Sequence, residues 1–150
     1  MEITTTILII GIISIYAVPR LMNISSFKTS IFLKQLSNSI IYAQDMAIGS
    51  GCHVEINITS NSLTLKLRNN CKSGDFTRDI QDPFYKKNNY IQNTPNNTNL
   101  STNNFPIYFD HNGQARLIST NNIVNANLTI TGENLQKTIY IYGENGSIEQ

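Results

Sequence analysis

The chain has 150 residues, 14% of them charged, and a formal net charge of +1 at neutral pH. That length supports one modest core, and the near-zero balance excludes the strong electrostatic pull toward nucleic acid or acidic surfaces that a basic domain exerts.

The first element is Glu2 followed by an uncharged, mostly aliphatic run from Ile3 to Val18, which ends at Pro19-Arg20. As a helix this run is about 24 Å long, a little short of the ~30 Å hydrocarbon core of a bilayer. It has no basic leader and no clear small-x-small site after the apolar stretch, so it reads as an uncleaved anchor rather than a removed signal peptide. A carboxylate costs roughly 2.5–3.5 kcal/mol at a bilayer centre and less near its edge. Glu2 therefore asks for a partner from outside the chain, and the helix is expected to pack against copies of itself or its relatives. Pro19 removes one backbone donor and crowds the carbonyl near Ile15, which predicts a kink there, helped by Gly11 and Ser14.

Beyond Pro19, Ile24, Phe27, Ile31, Phe32, Leu36, Ile40, Ala43 and Ala47 recur at three- and four-residue steps, while Lys28, Lys34, Gln35, Asn38 and Asp45 fall elsewhere. That is one apolar stripe on an amphipathic helix, stopped by Gly49 and Gly51. The pattern predicts a helix of about 45 residues in two halves, with residues 1–23 as the membrane or fibre-core half. Residues 24–150 then form the globular domain, including the amphipathic half.

The period next changes to two. Val54, Ile56 and Ile58 alternate with polar residues, as do Leu63, Leu65 and Leu67. A two-residue turn at Asn61-Ser62 would pair Ile58 with Leu65 and Ile56 with Leu67. The same register sets Cys52 opposite Cys71, which predicts a disulfide closing a loop of about twenty residues. Residues 72–104, punctuated by Asp82-Pro83, Thr94-Pro95 and an Asn-rich run, read as a long surface loop. After it, Pro106–Phe109 and Ala115–Ile118 flank Asn112-Gly113, a strong hairpin signal. A second hairpin, 127–131 with 138–142, turns at Gly132, and a last short strand runs 146–149.

His53 and His111 stand alone, without a Ser or Cys partner at a readable spacing. Asp75, Asp79 and Asp82 do not follow an EF-hand pattern and read as solvated loop carboxylates. No catalytic, cofactor-binding or metal-ligating set is assigned. With no Lys or Arg after Lys137, nucleic-acid binding is not expected either.

Glu2, the aliphatic helix behind it and Pro19 resemble the N-terminal core of type IV pilins and type II secretion pseudopilins. The stretch Ser39 to Val54 (SIIYAQDMAIGSGCHV) is similar to the helix end and first strand of minor pilins of the GspH/FimT type. Within that group, Gly51-Cys52, Cys71, Phe76-Thr77-Arg78 and Asp82-Pro83 are similar to a minor pilin of the mannose-sensitive haemagglutinin pilus. Phe109-Asp110 with Gly113 fits the same group's late hairpin. The resemblance covers nearly the whole chain.

It implies an α+β, pilin-like fold, with a long N-terminal helix packed on an antiparallel sheet. It also implies a non-enzymatic, structural role as a minor subunit of a type IV pilus, the alternative being a type II secretion pseudopilin. The family's precursor carries a short basic leader upstream of the residue matching Met1, so a prepilin peptidase would act on the full precursor. Partners would be other pilin or pseudopilin subunits and the bacterial inner membrane, with the globular domain periplasmic. Glu2 would pair with a neighbouring subunit's N-terminal amine and set axial register, and Ile7 to Val18 would fill the fibre core. The 72–104 segment would be the contact surface for other minor subunits. A signal-anchored, monomeric periplasmic binding protein is the rival from another class.

Overall fold

Two helices open the chain, α1 (Glu2–Leu21) and α2 (Ile24–Ser50). The strands that follow are β1 (Val54–Ile58), β2 (Ser62–Arg68), β3 (Phe76–Asp79), β4 (Tyr90–Asn93), β5 (Asn99–Asn103), β6 (Ile107–Phe109), β7 (Ala115–Leu117), β8 (Ala126–Thr131), β9 (Gln136–Ile141) and β10 (Ile148–Glu149). This computed structural model describes residues 2–21, 24–83, 87, 89–132 and 135–150, with backbone alone for 2, 14–21 and 24–26. Helical backbone runs through Pro19 to Leu21, while Met22 and Asn23, inside the stretch predicted as one long helix, lie outside the described residues.

Two antiparallel sheets flank one core. The first has the order β3-β2-β1-β6-β7, with β4 also pairing β2, and the second runs β10-β9-β8-β5. Phe32, Leu33, Leu36, Ile40, Ala43 and Ala47 of α2 are buried in one cluster with Ile56, Leu65, Ile107 and Phe109 of the first sheet and Leu128, Ile130, Ile139 and Ile141 of the second. The stripe read from the sequence holds from Phe32 onward. Its first members fail: Phe27 is 66% exposed and Ile31 41%. The reason is angular: at 3.6 residues per turn both lie on the side of α2 opposite Phe32, Leu36 and Ile40, whereas Thr29, on the same side as those three, is buried. Gly51, at φ +69°, follows the last helical residue in the left-handed conformation that suits a terminating glycine.

The first hairpin forms in a register two residues from the predicted one. Val54 faces Leu67, Ile56 faces Leu65 and Ile58 faces Leu63. The turn is Ser60-Asn61, because the Thr59 Oγ1 accepts from the Ser62 amide and Thr59 N donates to Ser62 O. A shift of two keeps the same side chains on the same face, so the alternation alone did not choose between the registers. Cys52 and Cys71 nonetheless meet in a disulfide. The chain makes up the difference after Arg68. His53 O accepts from Arg68 N while His53 N donates to Cys71 O, so the strand looks back across Asn69-Asn70. Cys71 itself takes a left-handed φ of 58°.

The 72–104 segment is not a loop. It contains β3 and β4, both on the outer edge of β2, and β5 on the edge of the second sheet. These strands lack apolar alternation because each is an edge with a small share of the core. β4 contributes Tyr90, and β5 contributes only the partly buried Leu100. Their order comes from main-chain pairing, which leaves no periodic trace in the side chains. The late hairpins form where predicted, with one refinement. Asp110 N donates to Gln114 O and Gly113 N to Asp110 O, closing a three-residue loop in which Gly113 alone is left-handed.

The end of α2 and two turns lock at one corner. Gln44 Nε2 donates to Gly113 O (3.1 Å) and to Asn145 O (3.0 Å). Gly146 sits here at φ +64°, and a Cβ on it would overlap the Gly113 carbonyl oxygen. Gly146→Ala is expected to cost about 2–4 kcal/mol from backbone strain plus overpacking. It should lower the urea midpoint without changing the slope, and an unchanged midpoint would remove this corner as a constraint.

Candidate functional site

The most unusual surface belongs to α1. Ile3, Ile7, Leu8, Ile9, Ile10, Ile12 and Ile13 each leave at least half of their side-chain surface open, and consecutive residues point to every side of the helix. A lone exposed aliphatic residue is ordinary, but a contiguous sleeve of them is not. Thr6 Oγ1 donates to the Ile3 carbonyl (2.8 Å), so this hydroxyl asks nothing of its surroundings. Such a helix gains stability only in an apolar environment supplied from outside, at about 1.5–3 kcal/mol per fully buried side chain. The side chains of Glu2 and Pro19, the two assembly residues read from the sequence, lie outside the described residues. Among those described, no helix is long and apolar enough to cross a membrane.

A second concentration of chemistry lies beside the disulfide, on the face of the first sheet away from α2. His53 is buried and stacks on Tyr108 (5.0 Å between centroids), with the exposed His111 ring 6.2 Å away on a nearly parallel plane. Phe76 packs on Tyr108 at 5.6 Å. The Arg68 guanidinium lies 4.9 Å over Phe76 and 5.2 Å over Tyr108. It also donates from Nε to Gly74 O (2.9 Å) and from Nη1 to Lys72 O (3.1 Å), which fixes the 68–74 turn around Cys71. Arg68 Nη1 is 3.0 Å from His53 Nδ1. A guanidinium has no acceptor, so Nδ1 accepts and the neutral ring carries its proton on Nε2. Burial lowers the His53 pKa first. Repulsion from Arg68, His111 and Lys72 adds to it and outweighs the attraction of Asp110.

Asp110 is buried, and its hydrogen bonds are well placed. Oδ1 accepts from Asn112 N (2.9 Å) and Gln114 N (3.1 Å), and Oδ2 accepts from Arg116 Nε at 2.8 Å. Burial alone would raise its pKa, but the bonds from Arg116, Asn112 and Gln114 together prevail and lower it. Asp110 is thus a turn-organising carboxylate, held charged.

The histidines, solitary in the sequence, are brought together by the pairing of β1 with β6. Arg68 and Tyr108 complete the stack and carried no local signal, since their meeting depends on which strands are neighbours. Asp75 and Asp79 are exposed, but Asp82, read from the sequence as solvated like them, is buried; among the described residues no group of three or more His, Cys, Asp or Glu is arranged to hold a metal ion.

No protein-family profile matches the sequence, and no curated protein is significantly similar to it. Solved structures are similar in fold. The minor pseudopilin EpsH from the type 2 secretion system of Vibrio cholerae superposes with a TM-score of 0.54 at 15% identity, over 83% of this chain and 94% of that one. The type IV minor pilin FimU of Pseudomonas aeruginosa gives 0.53 at 13% identity, over 85% and 87%. Its second crystal form gives 0.50 at 15%, over 77% and 86%. The mixed helix and antiparallel-sheet architecture is therefore pilin-like.

Two outcomes follow for the disulfide face. Thiol titration of the denatured, unreduced chain should find no free cysteine, and replacing both cysteines by Ala should cost about 3 kcal/mol in the chain-entropy account of such a loop. One or two free thiols would remove the bridge. The depressed His53 pKa means that the unfolded chain binds the extra proton first. Stability is then full above about pH 6.5 and falls as pH drops through the lower folded-state value. Denaturation midpoints measured from pH 7.5 to 5 should decline in the parent and flatten in His53→Gln, whose amide still accepts from Arg68. Equal slopes in the two proteins would assign the pH dependence elsewhere.

Proposed function

We propose that this chain is a minor structural subunit of a type IV, haemagglutinin-like pilus and catalyses no reaction. The observation that carries this reading is the apolar sleeve of α1, attached to a domain whose own core is complete without it. The pilin-like fold supports it. The helix would rest in the bacterial inner membrane before assembly and then enter the fibre core, where Ile7 to Val18 exchange lipid for neighbouring helices. Residues 1–23 would form this insertion half and 24–150 the periplasmic domain. Glu2 would pair with the N-terminal amine of the next subunit, because an unpaired carboxylate in a water-poor core is expensive and a positive partner offsets that cost while fixing axial register. A prepilin peptidase would act on the full precursor, and the partners would be other pilin subunits. A role in a type II secretion pseudopilus is the second reading, favoured by the similarity to EpsH over nearly all of that chain.

Glu2→Ala should weaken or abolish incorporation into fibres, read by immunoblot of sheared surface fractions, with the membrane-bound pool preserved. A monomeric anchored binding protein predicts the opposite, function intact in Glu2→Ala, and that result would end the polymer reading. A chain beginning at Ile24 should sediment as a monomer in detergent-free buffer. Aggregation of that shortened chain would show that the division of the helix at residue 23 is misplaced.

A further inference from the structure

The outer edge of β2 is shared by two short strands placed end to end. β3 pairs Lys66–Arg68 and β4 pairs Ser62–Leu65. Among the described residues nothing pairs the far edge of β4. The phase of the ladder fixes which groups that edge presents. Thr94 N donates to Asn61 O at 2.8 Å, one step beyond the Asn93–Ser62 pair. Antiparallel pairs alternate between hydrogen-bonded and open. Gln92 and Tyr90 therefore exchange bonds with β2, whereas the N–H and C=O groups of Ile91 and Asn93 point away from it. β4 carries no Pro, no charge and no bulge, the devices that close an edge to pairing.

This edge opens on a cleft of about 570 Å³ between β4 and α2. Its wall is held rigidly. Tyr90 Oη lies 2.7 Å and Gln92 Oε1 2.8 Å from the buried Ser39 hydroxyl, and Gln92 Nε2 donates to Gln35 Oε1 at 3.1 Å. Across the cleft from Ile91 and Asn93, α2 offers the exposed carboxamides of Gln35 and Asn38. Among the described residues that line it, one carboxylate, the buried Asp82, and one ammonium, Lys87, carry charge.

From this geometry we infer that the cleft between β4 and α2 is a docking groove for an extended, formally uncharged peptide segment of a partner subunit, which adds to β4 as a further strand. The backbone of such a segment matches the outward N–H and C=O groups of Ile91 and Asn93, and main-chain bonds supply affinity in this mode of recognition. The carboxamides on α2 read the hydroxyl or amide side chains on one side of the segment. Among the described lining residues the two opposite charges leave no net charge, so a uniformly basic or acidic segment gains little there and loses hydration. The inference takes from the fibre reading only that partner subunits exist.

The test uses the full chain, ¹⁵N-labelled in detergent micelles, and three acetylated and amidated nonapeptides that alternate Val with Ser/Thr/Asn, with Lys or with Glu. The uncharged peptide should shift the Ile91 and Asn93 amide resonances, and the Lys and Glu peptides should bind at least tenfold more weakly. The same uncharged peptide, N-methylated on alternate residues along its pairing edge, should lose those shifts. Ile91→Pro removes an outward N–H that β2 does not use, so it should abolish binding at an unchanged melting temperature. Absent shifts at Ile91 and Asn93, equal binding of all three peptides, or survival of binding after N-methylation would each overturn the groove. The N-methyl arm decides the matter even where Ile91→Pro disturbs the fold. Loss of the groove alongside a clear Glu2→Ala assembly defect would sink this inference alone, and the reverse pattern would sink the fibre reading alone.

Discussion

The contact between α2 and the first sheet is the constraint on which the rest of the domain depends. Ala43 and Ala47 are fully buried where the helix crosses β1 and β6, and their small side chains let the helix backbone approach the strands closely. Ile40 and Leu36, one and two turns earlier, are fully buried in the same cluster, which joins residues of both sheets. Dense cores tolerate neither voids nor insertions of a methylene without cost, so this spacing fixes where β6 can lie. It also fixes where the Asp110–Gln114 turn meets Gln44. That corner in turn holds the C-terminal turn and β10, so the last strand depends on the same helix end as the first hairpin.

The disulfide acts at the open end of that hairpin, directly after α2. β1 and β2 are paired over five residues, and the bridge ties the chain just beyond them, across the Arg68–Gly74 turn that Arg68 organises. Arg68 links three things at once: the turn carbonyls, the neutral His53 ring and the aromatic pair Phe76–Tyr108. A proton arriving on His53 removes the acceptor that Arg68 uses and places a cation beside it. The pH response of this face is therefore a local property of the strand pairing, and it needs no conformational switch.

Much of this was legible in the sequence, and the failures share a cause. The apolar period of α2 from Phe32 onward, the alternation of β1 and β2, Asn112-Gly113 and Gly132 are local signals, and each marks an element that forms. The two-residue error at Asn61-Ser62 arose because alternation repeats every second residue and cannot see a shift of two. The cysteine pair agreed with the predicted register only because Asn69-Asn70 absorb the difference. β3, β4 and β5 left no apolar period, since these edge strands fully bury at most one side chain each and take their order from main-chain pairing with their neighbours. For the same reason the His53–His111 stack was invisible: its members are adjacent only once β6 lies beside β1. At the other end, Phe27 and Ile31 are four residues apart and share a face, but it is the face opposite Phe32, Leu36 and Ile40; three- and four-residue steps followed without their angle merged two sides of the helix.

The scarcity of charge connects these features. A head with few Lys and Glu residues keeps its solubility through Asn, Ser and Thr, whose hydration is strong enough to hold a surface in water and weak enough to be exchanged for a matching hydrogen bond. Proteins commonly guard sheet edges with Lys or Pro, yet β4 and β5 have neither. Their protection is geometric. Both strands are short, and left-handed residues at Asn97 and Asn104 turn the chain away at either end of β5. A short uncharged edge offers too few main-chain bonds to recruit strands indiscriminately, so a segment that adds to it must also match the side chains on the facing wall.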